Sequence, residues 1–329
     1  MRVRRMAATL AAGATVVALA ACNNDGGQGG GEGGGQDFLT SLTFGTGGAS
    51  GTYYPLGTEY ANIFEENIQG VTVNAIETGA SVENLGQIYQ GEMQLGLTQN
   101  DTAISAVAGT GDFQGAAVDN VGWIGKLYPE AAHIITLADS GYESVADLEG
   151  ERIAVGPPGS GTRAVAEAIL SAYGIEAGEY EPFEEEFGDA QGLLQDGNLD
   201  ASIFVIGTPS SALNELAATN DVRLLPVEPD IAEEIAADTN FATYTLAAGT
   251  YDFLEEDVTT LSVFAALVAS TTQVSPELGY DLTRAVYENA GDITLPQSDL
   301  ITVEEALVGQ GDIPLHPGAE QYYEEQGVL

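Results

Sequence analysis

Two glycine-rich loops, each following a short apolar run and preceding a helical pattern, constrain this chain more than any other feature. Residues 43–54 read Thr-Phe-Gly-Thr-Gly-Gly-Ala-Ser-Gly-Thr-Tyr-Tyr, and residues 156–162 read Gly-Pro-Pro-Gly-Ser-Gly-Thr. Glycine lets a loop backbone come close to a ligand, and a helix N-terminus offers unpaired N–H groups to an anion. Two such loops, roughly a hundred residues apart, imply two α/β lobes that close on one small acid.

The rest of the chain is organised accordingly. Apolar β-type runs alternate with helical patterns, the signature of an α/β fold. Residues 42–45 read as a strand into the first loop, and Leu56, Tyr60, Ile63 and Phe64 mark the helix after it. Further strands are expected over 71–76, 95–98, 121–124 and 133–137, with a helix carrying Val82, Leu85, Ile88 and Tyr89. A second lobe begins near Ala138: a short helix over 145–150, a strand over 152–155, the second loop, then a helix carrying Val165, Ile169, Leu170 and Tyr173. Gly174 suits that helix's C-terminal cap, and Pro209, after a strand over 200–206, suits a first helical turn. Residues 261–269 cross back, and a helix over 276–290 completes the first lobe. The expected division is 38–137 with 262–329 as lobe 1, and 138–261 as lobe 2. A chain that leaves a lobe and returns permits hinge closure around a ligand.

The N-terminal residues have a different character. Arg2, Arg4 and Arg5 precede a small, apolar stretch too short to span a bilayer comfortably. It ends Leu19-Ala20-Ala21-Cys22, which looks like a lipobox, with Cys22 as the lipidated residue; an ordinary signal peptide with an incidental cysteine is the alternative. Cys22 is the only cysteine, so the body has no disulfide and no thiolate metal site. Residues 23–37 form a glycine-rich tether. Together these features place a soluble body on a membrane-anchored leash, outside the cytoplasm.

The chain carries 50 acidic and eight basic residues, and three of those eight lie in the leader. Such a charge repels nucleic acid and anionic membrane surfaces. The acids are scattered rather than gathered in a tail, which favours adaptation to high salt over mimicry of an acidic polymer. With so few cations, an anionic ligand must be held by backbone dipoles and hydroxyls.

Enzymatic motifs fail on inspection. Residues 156–162 come near a P-loop, but Thr162 stands where the phosphate-binding lysine should be. The first loop is out of phase for a dinucleotide site and lacks the spacing of a nucleophile elbow. His133 and His316 are the only histidines, and His316 sits in a rigid Pro-Leu-His-Pro-Gly turn. No cofactor or metal is implied. The binding candidates are the hydroxyls of Ser160 and Thr162, the rings of Tyr53 and Tyr54, and Ser81, Asn84 and Gln99, each at a helix start or strand end. For these last three, capping and binding are equally open readings.

Six segments in series resemble the TAXI family of TRAP-transporter solute-binding proteins. They are 45–55, Thr78-Gly-Ala-Ser-Val-Glu-Asn84, Leu127-Tyr-Pro129, 156–162, Asp200-Ala-Ser-Ile-Phe204 with Gly207-Thr-Pro209, and Leu315-His-Pro-Gly-Ala319. The resemblance implies a two-lobed type II periplasmic-binding-protein fold with a hinge, and a monomer. It also implies a receptor that delivers a small organic acid or amino acid, such as glutamate, glutamine, 2-oxoglutarate or a C4–C5 dicarboxylate, to a TRAP integral membrane permease. By motif, Gly48, Ser50, Tyr53, Ser81, Asn84 and Gln99 would meet the ligand from the first lobe. Ser160, Gly161, Thr162 and Gly207 would meet it from the second. Two other readings remain: a receptor feeding a sensor kinase, and a hydrolase or transferase on the same scaffold, which would need a perturbed acid/base pair in the cleft.

Overall fold

The computed structural model describes residues 38–329; the expected leader, Cys22 and the whole of the tether lie outside them. The chain order is β1 (Ser41–Gly45), α1 (Tyr53–Asn67), β2 (Thr72–Ile76), α2 (Ser81–Gln90), β3 (Leu95–Gln99), α3 (Asn100–Ala108) and β4 (Val121–Leu137). Then follow β5 (Arg152–Ala154), α4 (Thr162–Ala172), β6 (Glu181–Phe183), α5 (Phe187–Gln195), β7 (Ala201–Gly207), α6 (Ser211–Thr219), β8 (Val222–Leu224) and α7 (Pro229–Asp238). β9 (Ala242–Leu246), β10 (Val258–Ser270), α8 (Pro276–Glu288) and α9 (Pro317–Gln326) complete it.

One sheet runs through all of this, in the order β2-β1-β3-β10-β4-β7-β5-β6, with β8 pairing β4 and β9 pairing β10. The outer strands are parallel, while β10 and β4 run antiparallel to each other and to their outer neighbours. Alternate residues of these strands feed opposite faces, as the period of two requires. On β10, Leu267 packs with Phe44, Tyr60, Phe64 and Leu282, whereas Val268 packs with Leu85, Ile88 and Trp123. On β7, Ile203 and Val205 enter a core with Val165 and Ile169, and Phe204 and Ile206 enter one with Phe187 and Leu213. Both long strands contribute to cores at both ends of the sheet: Ile124 and Leu127 of β4 lie in the first group, and Ala132 and Ile134 in the second.

Two local readings are corrected. The strands expected over 121–124 and 133–137 are one 17-residue strand, β4, unbroken by Lys126 or Pro129. Pro129 falls one residue before β4 takes up its ladder with β7 at Glu130, an edge position on that side, where its missing N–H is tolerated. Pro209 precedes α6 instead of starting it: the Ser210 hydroxyl accepts the Leu213 amide, so the helix begins two residues later. Gly174 does follow α4, in the left-handed conformation at φ +77°.

Candidate functional site

The strand order turns at β4 and β10, and the helix starts on either side of them converge. A cavity of about 80 Å³ lies there, lined by both glycine loops, the start of α2, Gln99, Glu130 and the Phe187–Phe204 pair. At 10–15 Å³ per water, it holds on the order of six waters, the scale of a small metabolite. Thr52, Ala80, Gln99, Gly161 and Glu186, the residues that precede α1, α2, α3, α4 and α5, all line it, and none caps its helix with its side chain. Of the helices that start elsewhere, α6, α8 and α9 are capped by Ser210, Ser275 and His316, and α7 has no side-chain cap. Helix N-termini left without caps direct N–H groups and positive dipole ends outward. Five helix starts around one space make a field suited to an anion, although at α2 and α5 first-turn amides are already taken by the Gly159 carbonyl and the Ser50 hydroxyl.

Some of these ends are tied across the cleft. The Gly159 carbonyl accepts the amides of Val82 and Glu83 at 2.9 and 3.2 Å, joining the second glycine loop to the start of α2. The Ser50 hydroxyl accepts the Gly188 amide at 3.0 Å, joining the first loop to α5. The Ser160 hydroxyl faces no partner at all, although its residue is only 8% exposed. A buried orphan of this kind marks a place where a ligand atom belongs.

Two acids also line the cavity, the half-buried Glu186 and the buried Glu130. Glu130, 3% exposed, stands on β4 opposite Gly207 of β7 and Val263 of β10. Its Oε2 accepts the Tyr53 hydroxyl at 2.9 Å, and the Gln99 amide lies beside it. Burial pushes the Glu130 carboxyl up to about 8, against the lowering effect of Tyr53 and Gln99. Burial likewise takes Asp101, in the first turn of α3, up to about 7. Gln99 Oε1 is a second buried atom without a partner.

No cation offsets Glu130 among the described residues. Lys126 pairs with Glu305, Arg152 with Asp200, Arg163 with Glu167 and Glu184, and Arg284 with Asp281. Arg223 donates to the Tyr142 carbonyl. None of the five lines the cavity.

The residues singled out from sequence divide cleanly. Gly48, Tyr53, Ser81, Gln99, Ser160, Gly161 and Thr162 line the cavity. Ser50 lines two hollows adjoining it. Asn84 lies outside the lining: it donates to the Thr46 and Leu97 carbonyls at 2.8 and 2.7 Å and accepts the Thr78 hydroxyl, holding the first loop to β3. Gly207 lies outside too, where a Cβ would come 2.9 Å from the Tyr128 ring. Sequence reading passed over Glu130, Glu186, Phe187 and Phe204. The available signal was an acid inside an otherwise apolar run, one residue past the Leu127-Tyr-Pro129 motif.

Comparison with known proteins agrees with this architecture. The alkanesulfonate-binding protein SsuA from Xanthomonas axonopodis pv. citri, bound to MOPS, is 16% identical and superposes with a TM-score of 0.52 over 87% of this chain and 84% of that one. PhnD1 from Prochlorococcus marinus, in complex with methylphosphonate, is 12% identical with a TM-score of 0.52 over 88% and 99%. A protein from Bordetella bronchiseptica is 17% identical with a TM-score of 0.53 over 87% and 82%. The fold is the type II periplasmic-binding-protein fold, a mixed α/β architecture with a curled sheet. The model of the NMT1-like family matches residues 44–327, and the chain belongs to that family.

Proposed function

We propose that this protein is an extracytoplasmic solute-binding receptor that captures a small organic acid or amino acid in the cavity between its two glycine loops. The observation that carries the reading is the lining itself: uncapped helix starts from both sides of the sheet, around the unpartnered Ser160 hydroxyl. The ligands of the fold's relatives support it, since SsuA is an alkanesulfonate-binding protein and PhnD1 was solved with methylphosphonate. Both are small acids.

In this reading the lobes follow the expected division, 38–137 with 262–329 and 138–261, except that the crossings fall inside β4 and β10, which carry the hinge: Ala132 and Ile134 of β4 and Val263 of β10 already pack in the second core. The Gly159–Val82 contact belongs to the closed form. Binding favours closure only through contacts that the open form lacks. The closed receptor then meets a TRAP permease of the membrane, as the TAXI-like motifs imply, while a diacylated Cys22 holds the protein, a monomer in an organism adapted to high salt, at that membrane. Delivery to a sensor kinase is the alternative partner. An enzymatic reading draws on the buried acids Glu130 and Asp101, but Asp101 is absent from the cavity lining and the hydroxyl beside Glu130, that of Tyr53, is already engaged in donating to it. Capture without chemistry is therefore the better account.

Thermal unfolding in molar salt across dicarboxylates, oxo acids and amino acids tests it. A ligand at a thousand times its Kd adds about 4 kcal/mol. A flat panel on folded, ligand-free protein contradicts the reading.

A further inference from the structure

Glu130 does not fit a site built only for an anion. A carboxylate removed from water needs a counter-charge or a proton, and every described cation is engaged elsewhere. Its neighbours sharpen the point: Tyr53 from α1 donates to it, Gln99 from β3 lies beside it, Asp101 from α3 repels it, and Tyr128 of its own strand adds no positive charge. Gln99 Oε1, buried in the same wall, is an acceptor waiting for a donor. Elsewhere in the lining the Ser160 hydroxyl and the start of α4 offer donors, with the half-buried acid Glu186 at the side of the first loop. The hollow adjoining the cavity is bordered by Glu77, Glu83, Glu186 and Asp189, which disfavours the approach of a dianion.

We propose that Glu130 selects the ligand: with Gln99 Oε1 it accepts the ammonium of an α-amino acid whose carboxylate lies toward Ser160 and the start of α4. The receptor then prefers an amino acid over the oxo acid of the same skeleton. This rests on the receptor reading and narrows it. An ammonium brings three N–H donors and the positive charge that the wall lacks. A keto oxygen in its place would bring no positive charge and no donor: it could take only the single O–H of a protonated Glu130 and would leave Gln99 Oε1 unpartnered.

Calorimetric titration of the purified protein with matched pairs tests this. The pairs are L-alanine with pyruvate, L-glutamate with 2-oxoglutarate and L-leucine with 4-methyl-2-oxopentanoate, with succinate alongside. At least one amino acid is expected to bind tenfold or more tightly than its oxo partner. Glu130→Gln should erase that preference by weakening the amino acid at least tenfold, a typical effect of breaking a buried charged hydrogen bond. Glu130→Asp, which keeps the charge, should restore part of it. Glutamine is close to isosteric and removes a buried charge, and folding is checked by circular dichroism; should Glu130→Gln fail to fold, the wild-type ratios and Glu130→Asp decide. An oxo acid or succinate binding wild type as tightly as its amino acid, or a preference that survives Glu130→Gln, overturns the inference and leaves the receptor standing. Binding by no member of the panel to folded protein overturns both.

Discussion

The Tyr53 hydroxyl donates to the Glu130 carboxylate at 2.9 Å, joining the first turn of α1 to the middle of the longest strand. Both side chains are buried and both line the cavity. The contact therefore sets the geometry of the wall and leaves the acid without a counter-ion. Much of the protein's expected behaviour follows from that combination.

The share of stability that Glu130 and Asp101 set in the ligand-free protein should fall with rising pH, whereas His133 and His316, lowered by burial to about 4, act in the opposite sense up to about pH 6.5. Burial raises Glu130 from 4.5 to about 8 and Asp101 from 3.8 to about 7. A raised carboxyl contributes its full stability below its unfolded pKa and loses it as pH climbs through the folded value. The window is thus about pH 4–8. Relative to Glu130→Gln, wild type should lose on the order of 3 kcal/mol across it. Denaturant unfolding in molar salt, where general self-repulsion is screened, measures the difference.

Binding should move a proton. If a ligand ammonium pairs with Glu130, the acid ionises on binding, so near pH 6.5 close to one proton is released per amino acid bound. Binding enthalpies measured in buffers of different ionisation enthalpy report that number. Glu130→Gln should reduce it to near zero.

Ser160→Ala should separate affinity from stability. The hydroxyl has no partner in the protein, so its loss leaves the unliganded melting temperature unchanged or slightly raised. Ligand affinity should fall about tenfold, the worth of a hydrogen bond to a charged group. Equal losses in both would assign Ser160 to the scaffold.

Gly79→Ala probes closure. A Cβ at Gly79 would stand 2.4 Å from the Pro158 carbonyl, a backbone atom of the opposing loop. The substitution should hold the loops apart and weaken binding tenfold or more. Small-angle scattering should then show a larger radius of gyration with saturating ligand than wild type has.

Much of this was legible in the residues because local chemistry declares it. Glycine loops followed by helical periodicity announced where α1 and α4 begin, and five of the seven anticipated lining residues came from those loops and helix starts, with Ser81 and Gln99 coming from the starts of α2 and α3. Glu130 escaped because Lys126, Pro129 and Glu130 interrupt an apolar run and read as a gap between strands. Only pairing to β7 and β10 on both sides makes that stretch an interior strand. Asn84 could not be sorted into binding or scaffolding, since its partners Thr46 and Leu97 lie far along the chain. The short strands β6, β8 and β9 and the helix α5 also went unread. α5 carries Gly188 and Gly192, which weaken its propensity, and it is held instead by burying Phe187 and Leu194.

The central claim is that one small acid is captured in the cavity between the loops. Titrating wild type and Gly161→Leu with the best acid from the panel tests it most directly, because a side chain at Gly161 would collide with Gln99 in the cavity wall and force it to shift. The account predicts one-to-one binding to wild type and none to a folded Gly161→Leu. Equal binding by both would place the ligand elsewhere and contradict it.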